Sequence, residues 1–326
     1  VYSNLWKACY QAIYHANAVL EGLANSPRLS NTIKQQLKGE MLVGRAFHYF
    51  YLVNLFGDVP LVTTTNYNVN AVMPRIAAAE VYQQIIKDLI EAENLLVAEY
   101  PSEERARPNK YTAAALLARV YLYKGDWANA GMKASVVINS GTYSLEMDLN
   151  KTFLKNSNET IWQLRPGTGF MNTAEGVEFN PFDTFTVPKF SLTASLFNEF
   201  ENTDQRKISW VASNNAAGQA VYYPYKYKIG FSSVLKEYYV VVRLAELYLI
   251  RAEANTQQNN ISAAVSDLNI IRNKSSLPNT TASTVSTILS AIEHERRVEL
   301  FAEWGHRWLD LKRTNKANQL LALEKG

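Results

Sequence analysis

KYTAAALLARVYLYKGDWANAGMKASVVINSGTY (110–143) decides the fold class. Small residues crowd its first half. Gly125-Asp126-Trp127 makes a tight turn, and Ala130, Ala134 and Val137 continue at helical spacing. That is the alternation of a tetratricopeptide-like hairpin, in which small side chains let two helices approach closely. A second copy stands far downstream as RLAELYLIRAEANTQQNNISAAVSDLNIIRNKSSL (243–277), with an alanine-rich helix, a polar turn and a helix starting near Ile261. The two hairpins are placed at about 109–140 and 243–274.

Upstream of the first copy, Leu5, Cys9, Ala12, Ile13, Ala16, Val19, Leu20 and Leu23 recur with a helical period, and Asn25-Ser26-Pro27 stops them. Ser30 or Asn31 caps a second helix, which ends at Gly57-Asp58-Val59-Pro60 and pairs with the first in antiparallel fashion. That ending is read as a structural turn: Gly takes positive φ, Asp58 bonds nearby amides and Pro60 blocks further helix. TTTNYNVNAVMPR follows as a loop, and AAAEVYQQIIKDLIEAENLL (77–96) as a third amphipathic helix. At the far end a helix pair is expected at about 284–303 and 315–322, with WLDLK as the turn between. Residues 141–236 differ, being rich in Phe, Tyr, Asn, Thr, Gly and Pro. Within them ETIWQLRP (159–166) suggests a strand, SLTASLFNEFE (191–201) a short helix and AVYYPYKYKIGF (220–231) a strand or extended loop. A structureless loop of that length is unusual, so the stretch reads as an elaborated insertion. The expectation is one all-α unit over 1–326. It is an α-α superhelix of tetratricopeptide-like pairs with its scaffold in 1–140 and 237–326, and a long irregular insertion with a few short strands at 141–236.

Composition excludes several classes. The chain has 326 residues, 47% of them hydrophobic, with 33 basic against 30 acidic side chains and no run of one sign, so no nucleic-acid-binding tail is present. A spanning helix needs about 20 consecutive apolar residues. The best candidate, residues 238–254, carries Arg243, Glu246, Arg251 and Glu253. The lone Cys9 lies among apolar helix positions and has no internal disulfide partner.

No catalytic motif stands up: there is no glycine-rich phosphate loop, no G-x-S-x-G elbow and no H-E-x-x-H. In EHE (293–295) the two carboxylates are two residues apart on a helix and point to different sides, which disfavours a shared metal even with His294 and His306 nearby. The plainer reading is a helix whose Glu295, Arg296, Arg297 and Glu299 are solvated or paired with Asp310 and Arg313. Nothing singles out a hydrolytic pair among Asp58, Glu175, Glu178, Asp183 and Asp204. No catalytic residue, metal or cofactor is therefore assigned. Trp6, Trp127, Trp304 and Trp308 read as core, and Trp210 as structural. Phe170, Phe179, Phe182, Phe185, Tyr222, Tyr223 and Tyr225 lie instead among loop-forming residues, where a flat ring can stack on a sugar or can simply pin the insertion down. FNPFD (179–183) focuses the first reading, because Pro181 stiffens a loop carrying two rings. The ligand candidates are Phe179, Phe182 and Tyr225 for stacking, Asn180 and Asp183 for hydroxyl groups, and Tyr67 from the scaffold side.

Several segments, taken in order, resemble the SusD/RagB-like outer-membrane nutrient-binding lipoproteins of Bacteroidetes. They are GEMLVGRAFHYFYLVNLFGDVPLV (39–62), GDWANA with its preceding helix, ETIWQL, LFNEFENTDQRK (196–207), KY (226–227) before VVRLAELYLIRAEA, and ERRVELFAEWGHRWLDLKRT (295–314). The resemblance covers essentially the whole chain. It implies binding of oligosaccharides, or in some members peptides, on the extracellular face of the outer membrane. Delivery would be to a SusC-like TonB-dependent transporter. Family members carry a lipoprotein signal, a lipidated cysteine and several dozen residues before the first helix. The resemblance thus implies attachment to the membrane only through a lipid anchor that this chain lacks. The other class left open is a tetratricopeptide-type scaffold that binds only protein. The ninety-odd residues between the alanine-rich copies favour the first class.

Overall fold

Several helix starts fall where polar caps stand. In the computed structural model, which describes residues 2–167, 170–216 and 218–325, the chain divides into two compact units, Val1–Lys124 and Gly125–Gly326. The first contains α1 (Tyr2–Ala24), α2 (Asn31–Phe56), the single turn α3 (Tyr67–Asn70), α4 (Ala78–Leu95) and α5 (Lys110–Lys124). Ser30 caps α2 by accepting from the Ile33 amide, and Gly57 ends it at φ +70°. Helix α2 packs between α1 and α4, burying Leu42, Val43, Ala46, Phe50 and Val53. A buried polar clasp fixes that arrangement. Arg45 donates twice to Asp88 of α4, at 2.8 and 2.7 Å, and once to Asn17 of α1, at 2.8 Å.

The segment after α2 is strapped down as the turn reading expects. The Tyr49 hydroxyl donates to the Val62 carbonyl and accepts from the Val62 amide, and the Tyr10 hydroxyl donates to the Pro60 carbonyl. Asp58 reaches further than its own turn, however. Its carboxylate accepts from the Ala78 amide at 2.9 Å, capping α4, whose own N-cap, Ala77, has no side-chain acceptor. The one-turn α3 interrupts what the sequence suggests is loop.

The second unit contains α6 (Trp127–Ile138), β1 (Thr160–Leu164), α7 (Ala174–Glu178), α8 (Ala194–Phe197), α9 (Gln205–Trp210), β2 (Val211–Asn214), β3 (Val221–Pro224), β4 (Tyr239–Arg243), α10 (Leu244–Gln257), α11 (Ile261–Lys274), α12 (Val285–Glu299), α13 (His306–Arg313) and α14 (Ala317–Lys325). Helix α10 is central, with α6, α11 and α12 packed around it. Ala245, Leu249, Ala252, Ala264, Leu268, Ile271, Ile288 and Ile292 form one cluster there. The expected pair at 243–274 is α10 and α11. The expected pair at 109–140 exists as two helices, α5 and α6. The break between the units falls at the Lys124–Gly125 step that separates them. Two antiparallel ladders, β1 with β4 and β2 with β3, order the intervening stretch.

Two expectations are corrected. WLDLK is helix, lying inside α13. The true turn precedes it, where Ala302, Trp304 and Gly305 all take positive φ. Trp308, expected in the core, stands 41% exposed.

Candidate functional site

Between α6 and α10 the chain builds a surface carrying exposed aromatic rings, moored to a dry ionic cluster. The cluster comes first because it positions the rest. Asp204 caps α9 and grips the Arg206 guanidinium with both oxygens, at 2.9 and 2.8 Å. The far end of Arg206 meets Glu295 and Glu299 of α12. Arg243, at the junction of β4 and α10, donates to Glu303 at 2.9 Å, to Glu159 at 2.8 Å and to the Glu299 carbonyl at 2.7 Å. Lys274, ending α11, meets Glu159 at 2.7 Å and Glu299 at 3.2 Å. Lys226 donates to the Glu299 carbonyl and to Glu303. All of these side chains are buried.

The ring of Trp210, itself fully buried, lies under Lys226 at 4.6 Å, Lys274 at 5.5 Å and Arg243 at 5.6 Å. Its indole N–H donates to the Leu149 carbonyl at 3.0 Å. Burial by itself would raise the carboxyls of Glu299 and Glu303. The surrounding cations outweigh it, holding Glu299 well below the usual range and bringing Glu303 down to about 2. The expected helix, its charges solvated or paired with Asp310 and Arg313, is therefore corrected in part. Arg296 does pair with Asp310, but Glu295 and Glu299 are dry and are matched by Arg206, Arg243 and Lys274.

Around this cluster Leu149, Phe153, Phe200, Trp210, Tyr227, Val240, Val298 and Phe301 form a second apolar core that seats the insertion on α12. Its outer layer is knitted through backbone. The Thr173 hydroxyl caps α7 by accepting from the Gly176 amide. A Cβ at Gly176 would stand 2.5 Å from the Ile229 carbonyl oxygen, so only glycine lets the two segments touch. The buried Glu237 carboxylate accepts from the Lys228 and Ile229 amides, and burial nevertheless lifts its pKa, as it does for Glu175.

Four rings emerge from this support. Phe170 and Phe231 are 72% and 71% exposed, on two segments held together where Met171 bridges Phe231 and the Ser232 amide donates to the Phe170 carbonyl. Phe182 and Phe185 are 97% and 86% exposed on the loop after α7. That loop is internally braced. Asp183 accepts from the Phe185 amide, the Thr186 amide and the Thr186 hydroxyl, and these donors lower its pKa. Asn180 donates to the Tyr227 carbonyl at 3.0 Å, and Asn214 to the Thr186 carbonyl at 2.7 Å.

The structure thus gathers five of the six sequence candidates into one unit and gives them different tasks. Phe182 presents its whole ring. Phe179 packs edge-on against Phe190 at 5.7 Å, and Tyr225 lies against Tyr223 with Lys228 over its face. Asn180 and Asp183 hold the loop. Tyr67 belongs to the other unit, 80% exposed. Glu21 braces its loop by accepting from the Thr64 hydroxyl and the Thr65 amide. Phe231, like the less exposed Phe190 at 46%, is a ring that sequence reasoning passed over. Its neighbours Gly230, Ser232 and Ser233 were the available signal, being the same loop chemistry that drew notice to Phe170.

The chain is similar to known proteins. Residues 1–122 match a family profile described as starch-binding associating with outer membrane, and residues 213–324 match the profile of the SusD family. A SusD-like protein of Formosa agariphila is 26% identical over 97% of this chain and 73% of its own length. Among solved structures, a laminarin-binding SusD-like protein superposes with a TM-score of 0.84 at 26% identity, over 98% of this chain and 79% of that one. A SusD superfamily protein of Bacteroides vulgatus gives 0.87 at 23% identity, over 97% and 75%.

Proposed function

Because this chain belongs to the SusD/RagB family, we propose that it binds oligosaccharides at the cell surface, on the face of its insertion, and passes them to a SusC-like TonB-dependent transporter in the outer membrane. Family and fold favour a carbohydrate ligand, and a relative at 26% identity is a laminarin binder. One observation carries the placement: Phe170, Phe182, Phe185 and Phe231 are held in solvent on loops that are themselves fully braced. A folded protein gains nothing from leaving four large rings wet, whereas the apolar C–H faces of pyranose rings cover such surfaces. The role is binding and delivery rather than cleavage. Two carboxylates of these loops serve as structure, Asp183 in its turn and Glu237 beneath two amides.

Each stacked ring contributes about 1–2 kcal/mol, so two or three give micromolar-to-millimolar binding, weak enough to release cargo. Affinity electrophoresis on laminarin and a panel of neutral polysaccharides tests the reading. A retarding glycan should bind the F182A/F185A variant about 30-fold or more weakly, while circular dichroism stays unchanged. Equal retardation of both proteins, or no retardation by any glycan, overturns it. Capture of a TonB-dependent transporter from solubilised outer membranes tests the delivery step.

A further inference from the structure

On the opposite bank of α12 from the ionic cluster, a charged cleft of about 310 Å³ opens between α10, α12 and α13. Its floor is ion-paired. Arg296 donates twice to Asp310, at 2.8 and 3.1 Å, and Arg313 grips Glu253 at 2.6 and 2.8 Å. Arg297 is met from outside the cleft by Glu199. The mouth is different, because Glu293 is one carboxylate shared by two cations. Lys316 contacts one of its oxygens, and Arg307 approaches the other only to 3.5 Å, beyond the 2.7–2.9 Å of a good charge-assisted bond. Among the described residues Glu293 is the one carboxylate that Arg307 meets. One positive charge at the mouth therefore stands unmatched. Ser286 and Ser290 share with Glu293 the face of α12 that lines the cleft; the Ser290 hydroxyl donates to the Ser286 carbonyl, and that of Thr314, at the end of α13, to the Asp310 carbonyl.

We propose that this mouth is an oxyanion site, taking a sulfate or phosphate group between Arg307 and Lys316. The fork of Arg307 suits two oxygens of a tetrahedral anion and Lys316 the third, with the Ser286 hydroxyl in reserve. Glu293 competes for the same cations and sets the affinity low. The group arrives either as the free inorganic ion or as an ester on a saccharide.

Isothermal titration at constant ionic strength, balanced with sodium chloride, tests the site with sodium sulfate and phosphate in one arm. A sulfated disaccharide against its desulfated counterpart forms the other. Saturable binding in either arm is expected, weakened on the order of tenfold in R307A/K316A and tightened roughly fivefold in E293Q, which removes the competitor. Saturation by the inorganic ions alone assigns the site to free anion, and preference for the sulfated sugar assigns it to the ester. No saturation in either arm overturns the proposal, as does binding that is indifferent to both variants. Near-ultraviolet circular dichroism checks that the variants are folded. Loss of binding in E293Q also counts against the idea, since that change should help.

Discussion

Replacing Glu299 with glutamine isolates the value of the buried ionic cluster. The change keeps shape and volume and removes one negative charge where neither the acid nor its partners reach solvent. Three cations lose a counter-charge at once: Arg206 at 2.9 Å, Lys274 at 3.2 Å, and Arg243 on the same oxygen as the lysine. The amide also brings a donor face against groups that only donate. Breaking a buried pair costs about 3–5 kcal/mol, since the survivor stays dry and unmatched. Arg206 and Arg243 keep other carboxylates here, Asp204 and Glu303, which argues for the lower half of that range. For a unit of roughly 200 residues each kcal/mol moves the melting temperature by about 2–4 °C, so a fall of roughly 10 °C is expected. Calorimetry reads it, resolving the two units separately if they melt apart. Salt supplies the control: in 1 M sodium chloride the deficit should persist, because buried pairs are screened little. An E91Q change at the exposed Lys38–Glu91 pair should cost under about 1 kcal/mol at any salt. A fall below about 3 °C for E299Q, or one that salt abolishes, would show that the cluster is wetter or more adaptable than its geometry indicates.

Acid should unfold the second unit in a defined window. Glu299, Glu303 and Asp310 all have folded pKa values depressed by neighbouring cations, Glu303 to about 2. The unfolded chain thus takes up protons first, and their stabilisation, complete above about pH 4.5, is lost as pH falls toward 2. Urea midpoints measured from pH 6 to 2.5 check this, and a flat profile refutes it. Asp58→Ala should destabilise the first unit by about 0.5–2 kcal/mol through loss of the α4 cap and leave glycan retardation of the folded protein unchanged. Gly176→Ala should disorder the ring-bearing loops, since a methyl meets the Ile229 carbonyl oxygen. Increased proteolysis within residues 170–236, with the melting of the first unit unchanged, is the expected result. Tyr67→Ala should leave melting untouched, and a drop of several degrees would show its exposed ring to be structural.

The helices were legible wherever a cap met a period. Ser30, Asp126 and Thr284 start helices in the structure, and the α10–α11 pair follows from its alanines. The turn before α13 escaped notice because two of its three left-handed residues, Ala302 and Trp304, carry side chains that ordinarily avoid that conformation. Gly305 was the only residue there that advertised a turn. The ionic cluster was invisible for a deeper reason. ERRVE (295–299) spaces its charges like a wet helix face, and its partners arrive from Glu159, Asp204, Arg206, Arg243 and Lys274, which no local pattern connects. Ring exposure was legible in kind, as aromatics amid loop residues. Which rings face solvent was not, because Tyr223 and Phe182 share that setting and end at opposite extremes. Asp183 could have been read as a turn former from Thr186 three residues on.

The span of chain that the cluster closes bears on the order of assembly. Its bonds join residues 84, 93 and 115 positions apart, so each demands a large loop before it repays anything. Helices α10 to α12 can pair through near neighbours, but a cation buried ahead of its distant carboxylate raises the energy of any half-built state. Consolidation of the ring-bearing stretch is accordingly late and concerted, an ordering that pulsed hydrogen exchange would register as amides near Trp210 gaining protection together, after those of α10 and α11.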